Sequence, residues 1–482
     1  MNPADTRDNS FTRRDFVKTG SAALLAMLQA AELLAQETQQ AASAAAPAEP
    51  KPEGPKVKVA VIGLGPWGRE ILDQLERWPR EETHAQVVAL CDNYKPMLNR
   101  SASKAPGAAL VEDYRAVLDN KDVQAVIIAT PTHLHREIAV AALQAGKHVY
   151  CEAPLAHTIE DARAIAQAAR NAPGRFFQAG LQQRCDPQRH WLLPFVRSGA
   201  LGRFALARAQ WHKKQSWRGT SPNPEREKAM NWRLRRETSP GLVGEIGIHA
   251  LDQAGWFLND RPVAVTGFGS IAFWRDDGRD VPDTVQVVVE YASGVRLLYD
   301  ATLANSFDGE YEMYYGSDAA LMIRDVPTSA WMFKEVDSPL LGWEVYARKD
   351  SFFKESGIAL VAGASKQDAL TGGQAASAFP YSPLAYALAA FLRNCAEMDA
   401  AVEDFKSTFN TTDPKALAEY LAGLTRPPID DPASAQGAKE NAARQAPRED
   451  VGYAATVLAL KANEAILKGS RIELKKEWFE LS

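Results

Sequence analysis

The chain has 482 residues, too many for one ordinary hydrophobic core, so two folded domains with appendages are expected. Its 46% hydrophobic and 24% charged residues are those of a globular protein, and a net charge of −5 removes the electrostatic ground for a nucleic-acid or anionic-membrane partner. The four cysteines lack metal-ligand spacing and read as buried free thiols, no metal is expected, and no apolar run of about 18 residues in the body marks a membrane span.

Residues 1–35 resemble a twin-arginine signal peptide. Arg13-Arg14 lies in Thr-Arg-Arg-Asp-Phe-Val-Lys, ahead of an Ala- and Leu-rich stretch, which implies the twin-arginine export machinery as a partner and a periplasmic or otherwise exported destination. Residues 36–56 have no apolar periodicity and read as a flexible linker. From 57 the pattern alternates, with strands expected over 57–62, 86–90, 125–129, 148–151 and 176–179 and helices over 69–78, 136–145 and 159–171. Near-continuous apolar strands separated by helices predict a parallel sheet covered on both faces, hence a Rossmann-type α/β domain over 57–180.

Beyond 181 the rhythm changes to strands over 204–211, 263–269, 284–291, 295–301, 310–315 and 319–323, with turn residues at 292–294 and 316–318. Neighbouring strands are therefore expected to be antiparallel, giving an α+β second domain over 181–482 with helices over 246–256 and 451–467 and a last strand over 471–474. Residues 324–379 and 400–449 show no clear periodicity and are expected to be long loops.

The chemistry concentrates in the first domain. The strand ending at Ile62 runs into Gly63-Leu64-Gly65-Pro66-Trp67-Gly68, spaced G-x-G-x-x-G. Gly63 permits the tight turn, Gly65 lets a pyrophosphate approach the backbone, and Gly68 lets strand and helix pack closely, with the helix N-terminus facing the anion. Asp92, 24 residues past Gly68, ends the second strand where a carboxylate accepts two ribose hydroxyls and repels a 2′-phosphate, so NAD is expected over NADP. Thr130-Pro131 and the helix-opening His135 follow the next core strand, and Glu152 ends the one after. In an open parallel sheet ligands bind beyond those ends, so Thr130 is assigned to the nicotinamide half, His135 to an orienting hydrogen bond, and Glu152 to cofactor positioning or to a helix N-terminal charge.

Together these motifs resemble the Gfo/Idh/MocA family of NAD(P)-dependent sugar and inositol oxidoreductases. The likeness runs through Gly63–Gly68, Thr130–His135, Glu152-Ala153-Pro154, Gly199-Ala200-Leu201-Gly202 and Gly244–Asp252 to Gly452-Tyr453. It implies a nicotinamide against the second domain's sheet with a sugar, polyol or glycoside carbinol between them; the exposed antiparallel sheet face of the second domain is in turn a natural contact for a homo-oligomer. The family's Glu-Lys-Pro carries a lysine near the reacting carbinol; here Ala153 stands in its place. The resemblance makes His249 the group for proton transfer, with Glu245 four residues earlier on the same helical face and Asp252 three later. A carboxylate beside the imidazole is expected to favour its charged form. His212 or Lys213 could replace the missing cation, while Arg184, Arg189, Trp217, Trp232 and Arg233 are candidate substrate contacts. Two other readings remain open. One is an NAD-requiring glycosidase working by transient oxidation and elimination; the other is a non-catalytic carbohydrate-binding protein that retains the nucleotide.

Overall fold

The computed structural model describes residues 52–481 except 325–327, 342–343, 345–347, 353–354, 363–377, 425, 428, 430 and 432–433, so the signal-peptide reading and nearly all of the linker lie outside the described residues. In chain order the first domain runs β1 (Lys56–Ile62), α1 (Pro66–Arg77), β2 (His84–Cys91), α2 (Lys95–Ser101), β3 (Ala109–Val111), α3 (Tyr114–Asp119), β4 (Ala125–Ile128), α4 (His135–Gln144), β5 (His148–Cys151), α5 (Ile159–Arg170) and β6 (Phe177–Ala179). The six strands form one parallel sheet in the order β3-β2-β1-β4-β5-β6. The order reverses at β1, the switch point beside which such sheets bind ligands.

Alternate side chains of β1 feed two cores. Ala60 and Ile62 join the cluster containing Ala139, Ala162 and Ile165, whereas Val59 and Val61 join Ile71, Leu72, Leu388 and Phe391. Helix α1 begins at Pro66, earlier than expected, because proline has no N–H to lose in a first helical turn and its φ is already helical.

The second domain adds α6 (Pro187–Arg197), β7 (Phe204–His212), α7 (Pro224–Met230), a π-helical turn (Val243–Gly247), α8 (Ile248–Leu258), β8 (Pro262–Ser270), β9 (Thr284–Tyr291), β10 (Arg296–Thr302), β11 (Glu310–Gly316) and β12 (Ala319–Arg324). It continues with β13 (Ser329–Lys334), β14 (Lys349–Phe352), β15 (Glu355–Ala359), α9 (Pro383–Phe409), α10 (Pro414–Gly423), α11 (Ala435–Arg444), α12 (Glu449–Lys468) and β16 (Ile472–Glu473). Its ten-stranded sheet runs β14-β15-β13-β12-β11-β7-β10-β9-β8-β16. Among the described strands the pairing is antiparallel except between β7 and β10, which no turn connects, and the turn-linked pairs β9–β10 and β11–β12 are antiparallel as expected.

Both expected loops are corrected. Within 324–379, β13 to β15 extend the sheet edge, and Ala330 and Met332 alternate inward in the two-residue period of a strand. Within 400–449, α9 ends and α10 and α11 follow. Alanine-rich sequence has strong intrinsic helix propensity, and Asp413 and Ser434 cap the two later helices by accepting from backbone N–H groups. Helix α12 packs against α5 and β8 and so joins the two sheets. Among the described residues no helix is long and apolar enough to cross a membrane. All four cysteines are free and buried.

Candidate active site

The turn after β1 is shaped by what its glycines leave out. Gly63 has φ +94°, where an L side chain is strained, and its N–H donates to Cys91 O at 2.8 Å. A Cβ on Gly68 would lie 1.9 Å from Gly63 O, whereas one on Gly65 would meet nothing within 4 Å, so the backbone there stays open to a ligand. Leu64 is buried and its N–H donates to Asp92 Oδ2 at 2.9 Å, while Asp92 Oδ1 accepts from Tyr94 N at 2.9 Å. The carboxylate is thereby locked beside the turn. Pro66 and the exposed Trp67 complete this rim.

Beyond β4 and β5 the wall continues. His135 is buried, its Nδ1 3.0 Å from Pro154 O and its Nε2 2.9 Å from Thr130 O. It pins the Thr130-Pro131 turn against the loop after β5, and burial holds its pKa down near 4. Thr130 Oγ1 and Glu152 Oε1 are buried without any partner. Burial pushes the Glu152 carboxyl up to about 7, although the Trp67 side chain and the Ala153 N–H favour its charged form. Orphaned buried polar atoms are uncommon, and here they line the same cleft as Gly65 and Asp92.

The opposite wall comes from the second domain. Glu245 is buried in the π turn and accepts from Thr132 Oγ1 at 3.1 Å, Ser239 Oγ at 3.1 Å and Arg233 Nε at 3.3 Å. It is a strut between domains, which corrects the expectation that it partners His249: the π-helical turn breaks the four-residue spacing that would have stacked the two side chains. Asp252 is likewise committed elsewhere, both oxygens taken by Arg184 at 2.8 Å. His249 is half-buried and lines the cleft, its Nδ1 buried without a partner. Burial dominates over Asp252 and lowers the imidazole to about 4, so it is neutral at pH 7, opposite to the expected charged form.

Among the candidate substrate contacts, Lys213, Trp217, Trp232 and Arg233 line the cleft. The Arg233 guanidinium lies 4.7 Å from the Trp232 ring centre and 5.7 Å from that of Trp217. Three candidates are corrected. Arg184 turns away in the 3-10 turn Gln182–Cys185 to pair with Asp252 and stack on Trp256 at 4.8 Å. His212 falls on the alternate face of β7 from Trp211, where its Nε2 meets Asp300 Oδ2 at 2.5 Å. Arg189 forms a buried bidentate pair with Glu312 at 2.8 and 2.9 Å.

Sequence reasoning missed Tyr299, Glu312 and Arg226, all of which line the cleft. Tyr299 is buried on β10 with an unpartnered hydroxyl. Its only trace in the sequence is its place in an alternating strand. The cleft measures about 1770 Å³, beyond the roughly 300–1,000 Å³ of a single small-molecule site.

Comparison with known proteins bears on both walls. Residues 57–180 match an oxidoreductase family domain with an NAD-binding Rossmann fold, and residues 194–321 match the GFO/IDH/MocA C-terminal domain. The levoglucosan dehydrogenase of Pseudarthrobacter phenanthrenivorans is 29% identical over 210 residues, 39% of this chain and 52% of that protein. The inositol 2-dehydrogenase of Salmonella paratyphi B is 28% identical over 247 residues, 51% of this chain and 66% of that protein. The chain thus matches between half and two thirds of the length of these relatives. A solved levoglucosan dehydrogenase in complex with NADH and levoglucosan has the same fold, with a TM-score of 0.61 at 19% identity over 87% of this chain and all of that one.

Proposed function

From the premise that this chain carries both domains of the GFO/IDH/MocA oxidoreductase family, we propose that it is an NAD-dependent oxidoreductase acting on a carbinol of a sugar or polyol. One observation carries the reading: a single cleft has Gly65, Asp92, Thr130 and Glu152 on one wall and His249, Trp232 and Arg233 on the other. When bound, the nicotinamide nucleotide supplies or accepts the hydride. Asp92, fixed by two backbone N–H groups, would accept the ribose hydroxyls, and its charge favours NAD over NADP. The open backbone at Gly65 and the first turn of α1 would take the pyrophosphate. Thr130 Oγ1 and Glu152 Oε1 offer hydrogen-bonding capacity that the protein itself leaves unused.

His249, neutral at pH 7 and lining the cleft, would take the hydroxyl proton as a carbinol is oxidised and return it in reduction. Trp217 and Trp232 offer faces for the C–H surface of a sugar ring. Levoglucosan and inositol dehydrogenases among the relatives support a carbohydrate substrate. Ala153 favours a second reading, glycoside cleavage with no net change in the nucleotide, because a methyl group cannot serve the reacting oxygen as the family's lysine does.

Purified protein is to be supplied with NAD⁺ and a panel of aldoses, polyols and glycosides while reduced nicotinamide and released sugar are both followed. Reduced nucleotide that accumulates with a polyol or sugar, and is lost in His249→Ala, is the expected result. Glycoside cleavage without reduced nucleotide would replace the proposal with the second reading, and binding with neither product leaves a carbohydrate-binding protein.

The Arg13-Arg14 pair supports export by the twin-arginine route, which carries proteins already folded and would suit a nucleotide acquired before export. Cell fractionation of the double Lys variant of this pair tests it, with retention in the cytoplasm expected. Val288, Leu298 and Met322 on the mixed sheet's outer face support self-association; native mass reads this directly.

A further inference from the structure

Between β7 and the π turn, residues 218–231 are braced mainly by one another. Asn231 closes a ring on Gly219, accepting from its N–H at 2.8 Å and donating to its carbonyl at 2.9 Å. Glu227 accepts from Arg218 Nη2 at 2.7 Å and Ser221 N at 3.1 Å, and Asn223 caps α7 by accepting from the N–H groups of Glu225 and Arg226. Helix α7 buries no residue, so no hydrophobic core holds it in place. Yet it reaches the other domain: the Arg226 guanidinium lies 4.2 Å from the centre of the Tyr94 ring. Tyr94 is the residue whose N–H holds Asp92, the carboxylate at the ribose end of the cleft. Arg226 lines that cleft, and its Nε is buried with no hydrogen-bond partner.

We propose that this segment is a clasp over the adenosine half of the nucleotide site, with Arg226, seated on Tyr94, as the positioning residue through which the second domain retains the cofactor. The proposal rests on the nucleotide reading above. A guanidinium suits the task because its planar face stacks on aromatic rings while its edge donates hydrogen bonds, so one side can rest on Tyr94 and the edge that lines the cleft can meet the ligand. Without the clasp the adenosine half would be gripped by the parallel-sheet domain alone. With it, release requires a second-domain segment to lift, and the nucleotide leaves slowly.

The test loads the full-length protein with NADH and follows its release into excess unlabelled NAD⁺ by nicotinamide fluorescence. Arg226→Ala should release NADH at least about tenfold faster than the wild type, the scale of one lost hydrogen bond from a charged donor to the ligand. Tyr94→Ala should act in the same direction. The double variant should release no faster than Arg226→Ala, because the two side chains act as one unit. Melting of the nucleotide-free proteins should be unchanged, since α7 buries nothing. Release from Arg226→Ala at the wild-type rate, or effects that multiply in the double variant, overturns the clasp alone. A wild type that takes up no NADH overturns the nucleotide reading and the clasp with it.

Discussion

On the parallel-sheet side of the cleft the atoms that face a ligand belong to backbone, or to short side chains clamped by backbone, as Asp92 is by Leu64 and Tyr94. On the mixed-sheet side they belong to long side chains such as Lys213, Trp232 and Arg233, while ion pairs and strand parity turn Arg184 and His212 away from the cleft. The first construction binds through shape that single glycines determine. The second can be rebuilt residue by residue without disturbing the sheet beneath, which suits the part of an enzyme that selects its substrate.

The largest effects should come from the glycine turn. Gly68→Val would force a side chain to within 1.9 Å of Gly63 O, a backbone atom with nowhere to go, and the protein should fail to fold. Gly65→Ala is the contrasting case. Its Cβ meets no protein atom within 4 Å, so melting should be unchanged while affinity for NADH falls at least about tenfold, the methyl occupying space meant for the pyrophosphate. Equal loss of stability in both variants, read by thermal melting, would break the distinction between the walls. On the other wall, Arg189→Ala should cost about 3–5 kcal/mol in urea unfolding, because Glu312 would remain buried without its counter-charge.

This contrast also explains what could be read from the sequence alone. The glycine spacing and Asp92 were legible because a tight turn and a ribose-facing acid need specific residues at specific intervals. His249 could be placed in the cleft but not its charge, since only the fold reveals that burial outweighs Asp252 and that Arg184 has already taken that carboxylate. Glu245 was misread as an acid partner because a π-helical turn has no signature in residue spacing. Helices α10 and α11 were hidden by their ten-residue length; alanine propensity and end caps form them, and Tyr420 packs α10 on Phe405 and Phe409 of α9. Arg226 had no trace at all, because its significance depends on Tyr94, 132 residues away in the chain.

Acid should weaken the fold next. Burial holds His135 and His190 near pKa 4, below the value of about 6.5 they recover on unfolding, so the unfolded chain binds protons that the folded one refuses. Their contribution is complete above about pH 6.5 and is lost as pH falls toward 4, about 2 kcal/mol for each by pH 5. Glu152 runs the other way: raised to about 7, it favours the folded state as pH falls and offsets one histidine by a similar amount. Urea unfolding at pH 7 and pH 5 should therefore show a net loss, and His190→Gln should shrink it by about 2 kcal/mol. A His190→Gln variant with the full wild-type pH dependence would contradict the assignment.

The smallest effects separate neighbours at the end of β7. His212 meets Asp300 on the alternate face of the strand, and half-buried pairs still screened by solvent contribute about 1 kcal/mol or less. His212→Ala should accordingly leave both KM and kcat near their wild-type values. Lys213 lines the cleft, and among the described residues its side chain has no hydrogen-bond or ion-pair partner, so its positive charge is available to substrate. Lys213→Ala should raise KM by about three- to tenfold with a smaller change in kcat, the signature of lost ground-state binding. A kcat that collapses in Lys213→Ala instead would make this lysine the functional replacement for the cation missing at Ala153. The second-domain wall would then supply that cation beside the proton transfer of His249.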